Sequence, residues 1–85
     1  MAGFNVTNMS NRTIEAFVSS YSAEGGDESW FTIPPGGAES WSRKAWELVA
    51  FKDQEEHRRG WYLNCENGTL RVIFHGLDKE IEFMK

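Results

Sequence analysis

Two histidines and one cysteine are the only side chains here that offer a base or a thiol near neutral pH. Nucleophilic catalysis needs a nucleophile, a base and an orienting group within mutual reach. Cys65 falls on the apolar side of an alternating run, His75 beside Gly76, and His57 inside the charged stretch Asp53-Gln54-Glu55-Glu56-His57-Arg58. Serines are plentiful, but no G-x-S-x-G elbow occurs, and the Gly-rich turns at Gly25-Gly26 and Gly36-Gly37 lack the Lys-Ser/Thr of a phosphate-binding loop. The two histidines lack the spacing of a zinc site, and Glu55-Glu56-His57 reads as a solvated charge run. Glu39, Glu47, Glu80 and Glu82 read as outward residues on strands rather than as an acid pair for glycoside hydrolysis. The expectation is no enzyme, no catalytic or metal-ligating residue and no cofactor.

Binding chemistry is better represented. Four Trp, six Phe and two Tyr are more aromatics than an 85-residue core needs. With Val18, Phe31 and Ile33 directed inward, alternation sends Phe17, Tyr21 and Trp30 to the other side, among Ser19, Glu28 and Thr32 and near Asp27. The run Glu39-Ser40-Trp41-Ser42-Arg43-Lys44-Ala45-Trp46-Glu47 also mixes aromatics with hydrogen-bonding groups. Sugars present apolar C–H faces ringed by hydroxyls, so their sites pair an aromatic platform with a few orienting polar groups. The candidate ligand-binding residues are therefore Tyr21 and Trp30 as stacking platform, Asp27 as acceptor, and Trp41 and Arg43 as a neighbouring rim. The same aromatics could instead pack on a second sheet or a second copy of the chain. The sequence leaves open whether Trp41 or Trp46 faces solvent.

The elements that must position these residues have a period of two nearly throughout. Strand-like runs lie near residues 3–8, 12–21, 28–33, 38–42, 45–52, 60–65, 69–75 and 80–84, separated by turn chemistry at Met9-Ser10-Asn11, Glu24-Gly25-Gly26, Pro34-Pro35-Gly36-Gly37, Asn67-Gly68 and Gly76-Leu77-Asp78-Lys79. Residues 53–58 have room for one helical turn. Asn67-Gly68 between apolar runs predicts a hairpin that sets Cys65 against Leu70, Leu63 against Val72 and Trp61 against Phe74. A loop at Gly76–Lys79 then sets Phe74 against Ile81 and Val72 against Phe83. A loop at Met9–Asn11 sets Val6 against Ile14, Phe4 against Ala16 and Ala2 against Val18. A turn at Glu24-Gly25 sets Val18 against Phe31 and Ala16 against Ile33. Each pairing joins apolar to apolar. In the 45–52 run, Val49 and Phe51 compete with Trp46, Leu48 and Ala50 for the inside, as in a central strand covered on both sides. These features predict an all-β fold, a single-domain antiparallel β-sandwich of about seven or eight short strands spanning residues 1–85.

Composition removes other classes. A net charge of −4 and a pI near 5.1 disfavour a phosphate-rich partner, so no nucleic acid is expected. One cysteine excludes an internal disulfide, and Cys65 reads as a small buried hydrophobe. The amino-terminal residues lack the basic and apolar regions of a secretory signal, and no run approaches the roughly 20 apolar residues of a membrane span. The expected compartment is the cytoplasm. The sequons at Asn5, Asn8, Asn11 and Asn67 are then explained by turn chemistry rather than glycosylation.

The pattern Phe4-Asn5-Val6-Thr7-Asn8, Thr13-Ile14-Glu15-Ala16-Phe17-Val18 and later Ile33-Pro34-Pro35-Gly36-Gly37 before a Trp-containing strand resembles small fungal β-sandwich proteins. It is similar to fungal fruit-body lectins in size class and to the longer aegerolysins in general plan. That resemblance implies a cytosolic defence protein that binds a ligand without catalysis, and it transfers no individual residue. The expected function is a lectin-like, carbohydrate-binding module with a glycan partner. Its alternatives are an aegerolysin-like binder of membrane lipid, or an interaction domain whose aromatic face forms a homodimer.

Overall fold

Inward residues alternate with outward ones along most of the chain, and that alternation builds two stacked sheets. The computed structural model describes residues 2–23 and 25–84. Its strands are β1 (Gly3–Asn8), β2 (Ile14–Val18), β3 (Phe31–Ile33), β4 (Ala38–Ser42), β5 (Trp46–Lys52), β6 (Arg58–Asn64), β7 (Thr69–Phe74) and β8 (Glu82–Met84). One sheet has the order β4-β1-β7-β8 and the other β3-β2-β5-β6. The fold is all-β and sandwich-like. Phe4, Val6, Leu70, Val72 and Phe74 from the first sheet meet Ile14, Val18, Ile33, Val49 and Phe51 from the second, all buried. Phe51 and Phe74 stack across the layers with centroids 4.3 Å apart.

Several expected pairings are replaced. The strands flanking Asn67-Gly68 form no hairpin: β6 pairs with β5, while β7 pairs with β1 and β8. The bend lies one residue earlier than expected, with the Gly68 N–H donating to the Cys65 carbonyl and Asn67 at φ 72°. It carries the chain from one sheet to the other. Cys65, Leu63, Leu70, Val72 and Phe74 are nonetheless buried, and Trp61 is partly so. Both sheets point their apolar residues at the same core, so a crossover satisfies the inside–outside parity as well as a hairpin does.

The expected β1–β2 hairpin is likewise a crossover, since β1 lies between β4 and β7. Asn8 fixes it. Its buried amide donates to the carbonyls of Arg12 and Ile33, and its oxygen accepts from the N–H and hydroxyl of Ser10. β1 and β7 run parallel, so the first sheet is mixed rather than antiparallel.

Two expected pairings form. β7 and β8 pair with Val72 opposite Phe83. β2 and β3 pair two residues away from the expected register, with Ala16 opposite Phe31 and Ile14 opposite Ile33, which keeps the same faces inward. The turn proposed at Glu24-Gly25 includes Glu24, which lies outside the described residues. β5 is central, between β2 and β6, with Val49 and Phe51 inside and Trp46, Leu48 and Ala50 on the outer side. Residues 53–57 form a tight turn instead of a helical one.

Candidate functional site

The alternation that buries Val49 and Phe51 also carries Glu47 inward, correcting its expected place on the outer face. A buried carboxylate must be matched by donors. Glu47 Oε1 accepts from the Ser19 hydroxyl and the Tyr21 N–H, and Oε2 from the N–H and hydroxyl of Ser22. Burial pushes the Glu47 carboxyl up. The hydroxyls of Ser19 and Ser22 and the two N–H groups outweigh it and hold the group below its ordinary value.

Arg43 is the complement. Expected on a rim, it is only 4% exposed and spends its guanidinium on backbone carbonyls. Nε donates to Ser19 at 2.6 Å, Nη2 to Val18 at 3.1 Å and Asp27 at 2.6 Å, and Nη1 to Ser42 at 2.8 Å. A Cβ at Gly26 would lie 2.8 Å from Arg43 Nη1, so a side chain there would have to displace the guanidinium from its carbonyls. The two charges together fasten the connection between β2 and β3 to the sandwich.

Trp41 is also a correction. It is 6% exposed, set edge-on to Phe31, and its indole N–H is buried with no partner among the described residues. The Phe4–Trp41 register sends it inward beside a core residue. Trp46 is the solvent-facing member of that pair, at 48% exposure.

The five expected site residues do not converge. Asp27 and parts of Trp41 and Arg43 line a shallow hollow of about 550 Å³ with Phe31, Glu39 and Ser40. The Asp27 carboxylate already accepts the Ser29 N–H, which lowers its pKa. Tyr21 is exposed at the start of the β2–β3 connection. Trp30 lies on the outer face of the second sheet, against Phe17 at 5.3 Å, with Lys52 Nζ 4.6 Å from its ring centroid.

That outer face is the strongest candidate surface. Trp46 and Tyr62 stack at 5.1 Å toward one end, and Phe17 with Trp30 at the other. Leu48, Ala50 and Gly60 lie between, with Gly60 opposite Ala50 and Tyr62 opposite Leu48. A side chain at Gly60 would meet Leu48 Cδ1 at 3.1 Å, so the strip stays low between two aromatic clusters. Their separation along β5 is roughly 13–20 Å at strand rise. Lys52, Arg58 and Asn64 supply polar groups at the margins. The opposite outer face, carrying Asn5, Thr7, Ser40, Ser42, Thr69, Arg71 and Ile73, has no Phe, Trp or Tyr among the described residues. Pairing of Trp46 with Tyr62 escaped sequence reading because it needs the β5–β6 register. That register places Leu48 opposite Tyr62 and Asn64 opposite Trp46.

A second opening, of about 350 Å³, lies where β6 and β8 leave the sandwich uncovered, lined by Trp46, Tyr62, Leu63, Leu70, Phe83 and Met84. At the other end of the molecule, Asp53, Glu55 and His57 bring ligand-type atoms within 4.8 Å of one another. There the Asp53 carboxylate accepts the N–H groups of Glu55 and His57 and bonds His57 Nδ1 at 3.0 Å, so the cluster is the internal bonding of a turn. No protein-family model, curated protein or solved structure matches this chain.

Proposed function

We propose that this protein is a non-enzymatic carbohydrate-binding module of lectin-like type, with the saccharide lying along the outer face of the β3-β2-β5-β6 sheet. One observation carries the reading. The Phe, Trp and Tyr residues on the outer sheet faces gather on one sheet, at both ends of a low strip, and the outer face of the other sheet has none among the described residues. Trp46 and Tyr62 form the more accessible platform, at 48% and 60% exposure. Their rings suit the C–H face of a pyranose, and the Asn64 amide beside them suits its hydroxyls. Trp30 supplies the far contact, with Lys52 over its ring as a donor. Trp41 and Arg43 hold the scaffold and do not touch the ligand.

Screening on a saccharide array, followed by titration of tryptophan fluorescence, tests this. The expected result is binding in the micromolar to millimolar range that Trp46→Ala abolishes and Tyr21→Ala leaves intact. An array with no binder removes the proposal.

The lipid-surface reading is favoured by a different observation, the apolar opening flanked by Phe83 and Met84. Exposed Trp46 and Tyr62 would act as interfacial anchors. The net acidity directs this reading to zwitterionic lipid. Flotation with phosphatidylcholine vesicles distinguishes it, and absence of co-migration rejects it.

A further inference from the structure

β6 is the longest strand with an unpaired side. The sandwich has four sheet edges, β4 and β8 in one sheet and β3 and β6 in the other. β3 and β8 have three residues each and β4 has five, whereas β6 has seven and contains neither proline nor bulge. Long regular edges are templates for pairing with another chain.

The register shows which backbone groups are free to pair. The Asp53 N–H donates to the His57 carbonyl and the Cys65 N–H to the Ala45 carbonyl, each at 3.1 Å. Hydrogen-bonded pairs recur at every second residue of an antiparallel ladder. Between those two bonds, Arg59, Trp61 and Leu63 therefore direct their N–H and C=O groups at β5. Arg58, Gly60, Tyr62 and Asn64 direct theirs away from it, and no strand pairs with that side among the described residues.

We propose that β6 pairs antiparallel with β6 of a second copy of this chain, joining two four-stranded sheets into one of eight. A twofold axis beside Trp61 uses all seven residues. It sets Arg58 opposite the second copy's Asn64 and Gly60 opposite the second copy's Tyr62, each twice. The side-chain pattern fits. Tyr62 is 60% exposed, and it gains a neighbour with no side chain to obstruct it, the arrangement in which an aromatic shields a strand glycine. Arg58, already held to Glu56 of its own chain at 3.0 Å, faces the end that runs through Asn64 into the second copy's Glu66, so at each end the guanidinium lies between two carboxylates. A parallel arrangement would bring the two Arg58 side chains together.

The pairing shares Tyr62 and Asn64 with the proposed saccharide platform but uses their backbone and leaves Trp46 uncovered, so sedimentation in the absence of saccharide tests it separately. Sedimentation equilibrium across a concentration series tests it. The expected result is a mass approaching twice the 9.8 kDa of one chain as concentration rises. Tyr62→Pro removes an outward-facing N–H of the edge together with the ring that stacks on Trp46, so it is expected to give a monomer that keeps a β-type far-ultraviolet spectrum. Should that variant fail to fold, Arg58→Glu serves alone. It brings like charge toward Glu66 of the other copy and is expected to weaken association by about tenfold or more. Adding Asn64→Arg to Arg58→Glu is expected to restore the dimer, since residues 58 and 64 meet only in this register. A wild-type mass of one chain at every concentration overturns the proposal, and so does a dimer indifferent to both edge variants.

Discussion

Glu47 and Arg43 are both buried, four residues apart, and each is matched by the backbone or hydroxyls of the β2–β3 connection rather than by the other. The carboxylate collects donors from Ser19, Tyr21 and Ser22, and the guanidinium collects the carbonyls of Val18, Ser19 and Asp27. Within the connection, one charge accepts the N–H groups of Tyr21 and Ser22 and the other donates to the carbonyls of Ser19 and Asp27.

Removing the Glu47 charge should loosen that segment. Glu47→Gln keeps the volume but turns an amide NH₂ toward N–H and hydroxyl donors. The expected cost is about 3 kcal/mol, as for losing a charged hydrogen bond inside a protein. The folded carboxyl titrates below its ordinary 4.5. Its contribution is therefore complete above that value and is lost as pH falls through the lower folded value. Urea unfolding midpoints between neutral pH and pH 3 should fall for the wild type and fall less for Glu47→Gln. Parallel curves would show that the group does not carry the acid sensitivity.

Arg43 makes a sharper case, because geometry rather than charge is at stake. Lys at this position keeps the positive charge but cannot direct a planar fork at carbonyls from Val18, Ser19, Asp27 and Ser42 together. Arg43→Lys should cost on the order of 2 kcal/mol, and Arg43→Met at least as much, since buried carbonyls lose their partners in both. Denaturant unfolding with an unchanged m-value would measure it. A Lys variant as stable as the wild type would mean that charge alone suffices.

Parity was legible in the sequence and pairing was not. Every residue of the expected apolar side around Asn67-Gly68, from Leu63 to Phe74, lies inside or partly inside, because in–out alternation is local to one strand. Which strand lies beside which depends on contacts far apart in sequence. A sandwich offers two sheets with the same inner requirement, so Leu63 and Val72 share a core without sharing a ladder. The solvent-facing tryptophan was undecidable for the same reason. Trp41 and Trp46 have opposite parities, and only the alignment of β4 on β1 and of β5 on β2 assigns them. Glu47 was misread because an acidic residue was weighed by type. The alternation through Val49 and Phe51, with three serines in residues 19–22, was the available signal.

The turn between β5 and β6 should respond to pH in the opposite sense from Glu47. The Asp53 carboxylate, hydrogen-bonded to His57 Nδ1, raises the imidazole above its ordinary 6.5. The stabilisation this gives is complete below that value and is lost as pH rises through the folded value. In an NMR titration the His57 ring protons should show a midpoint above 6.5, and Asp53→Asn should lower it. A midpoint that stays put in Asp53→Asn would mean that the bond does not persist in solution.

The two tryptophans flanking Arg43 should separate stability from binding. Trp41 is packed on Phe31 inside the sandwich, so Trp41→Ala removes a large buried side chain and should cost about 3–5 kcal/mol. Trp46 is half exposed and its principal contact is the Tyr62 ring, so Trp46→Ala should cost only about 1 kcal/mol. Binding should rank the other way. Any saccharide that quenches the wild-type fluorescence should lose its effect in Trp46→Ala and keep it in folded Trp41→Phe. Acrylamide should quench Trp46 far more than Trp41, measured in variants with the other tryptophans replaced by Phe. Equal quenching of both indoles, or saccharide binding that survives Trp46→Ala, would take the platform away from the outer face and return it to the hollow beside Asp27.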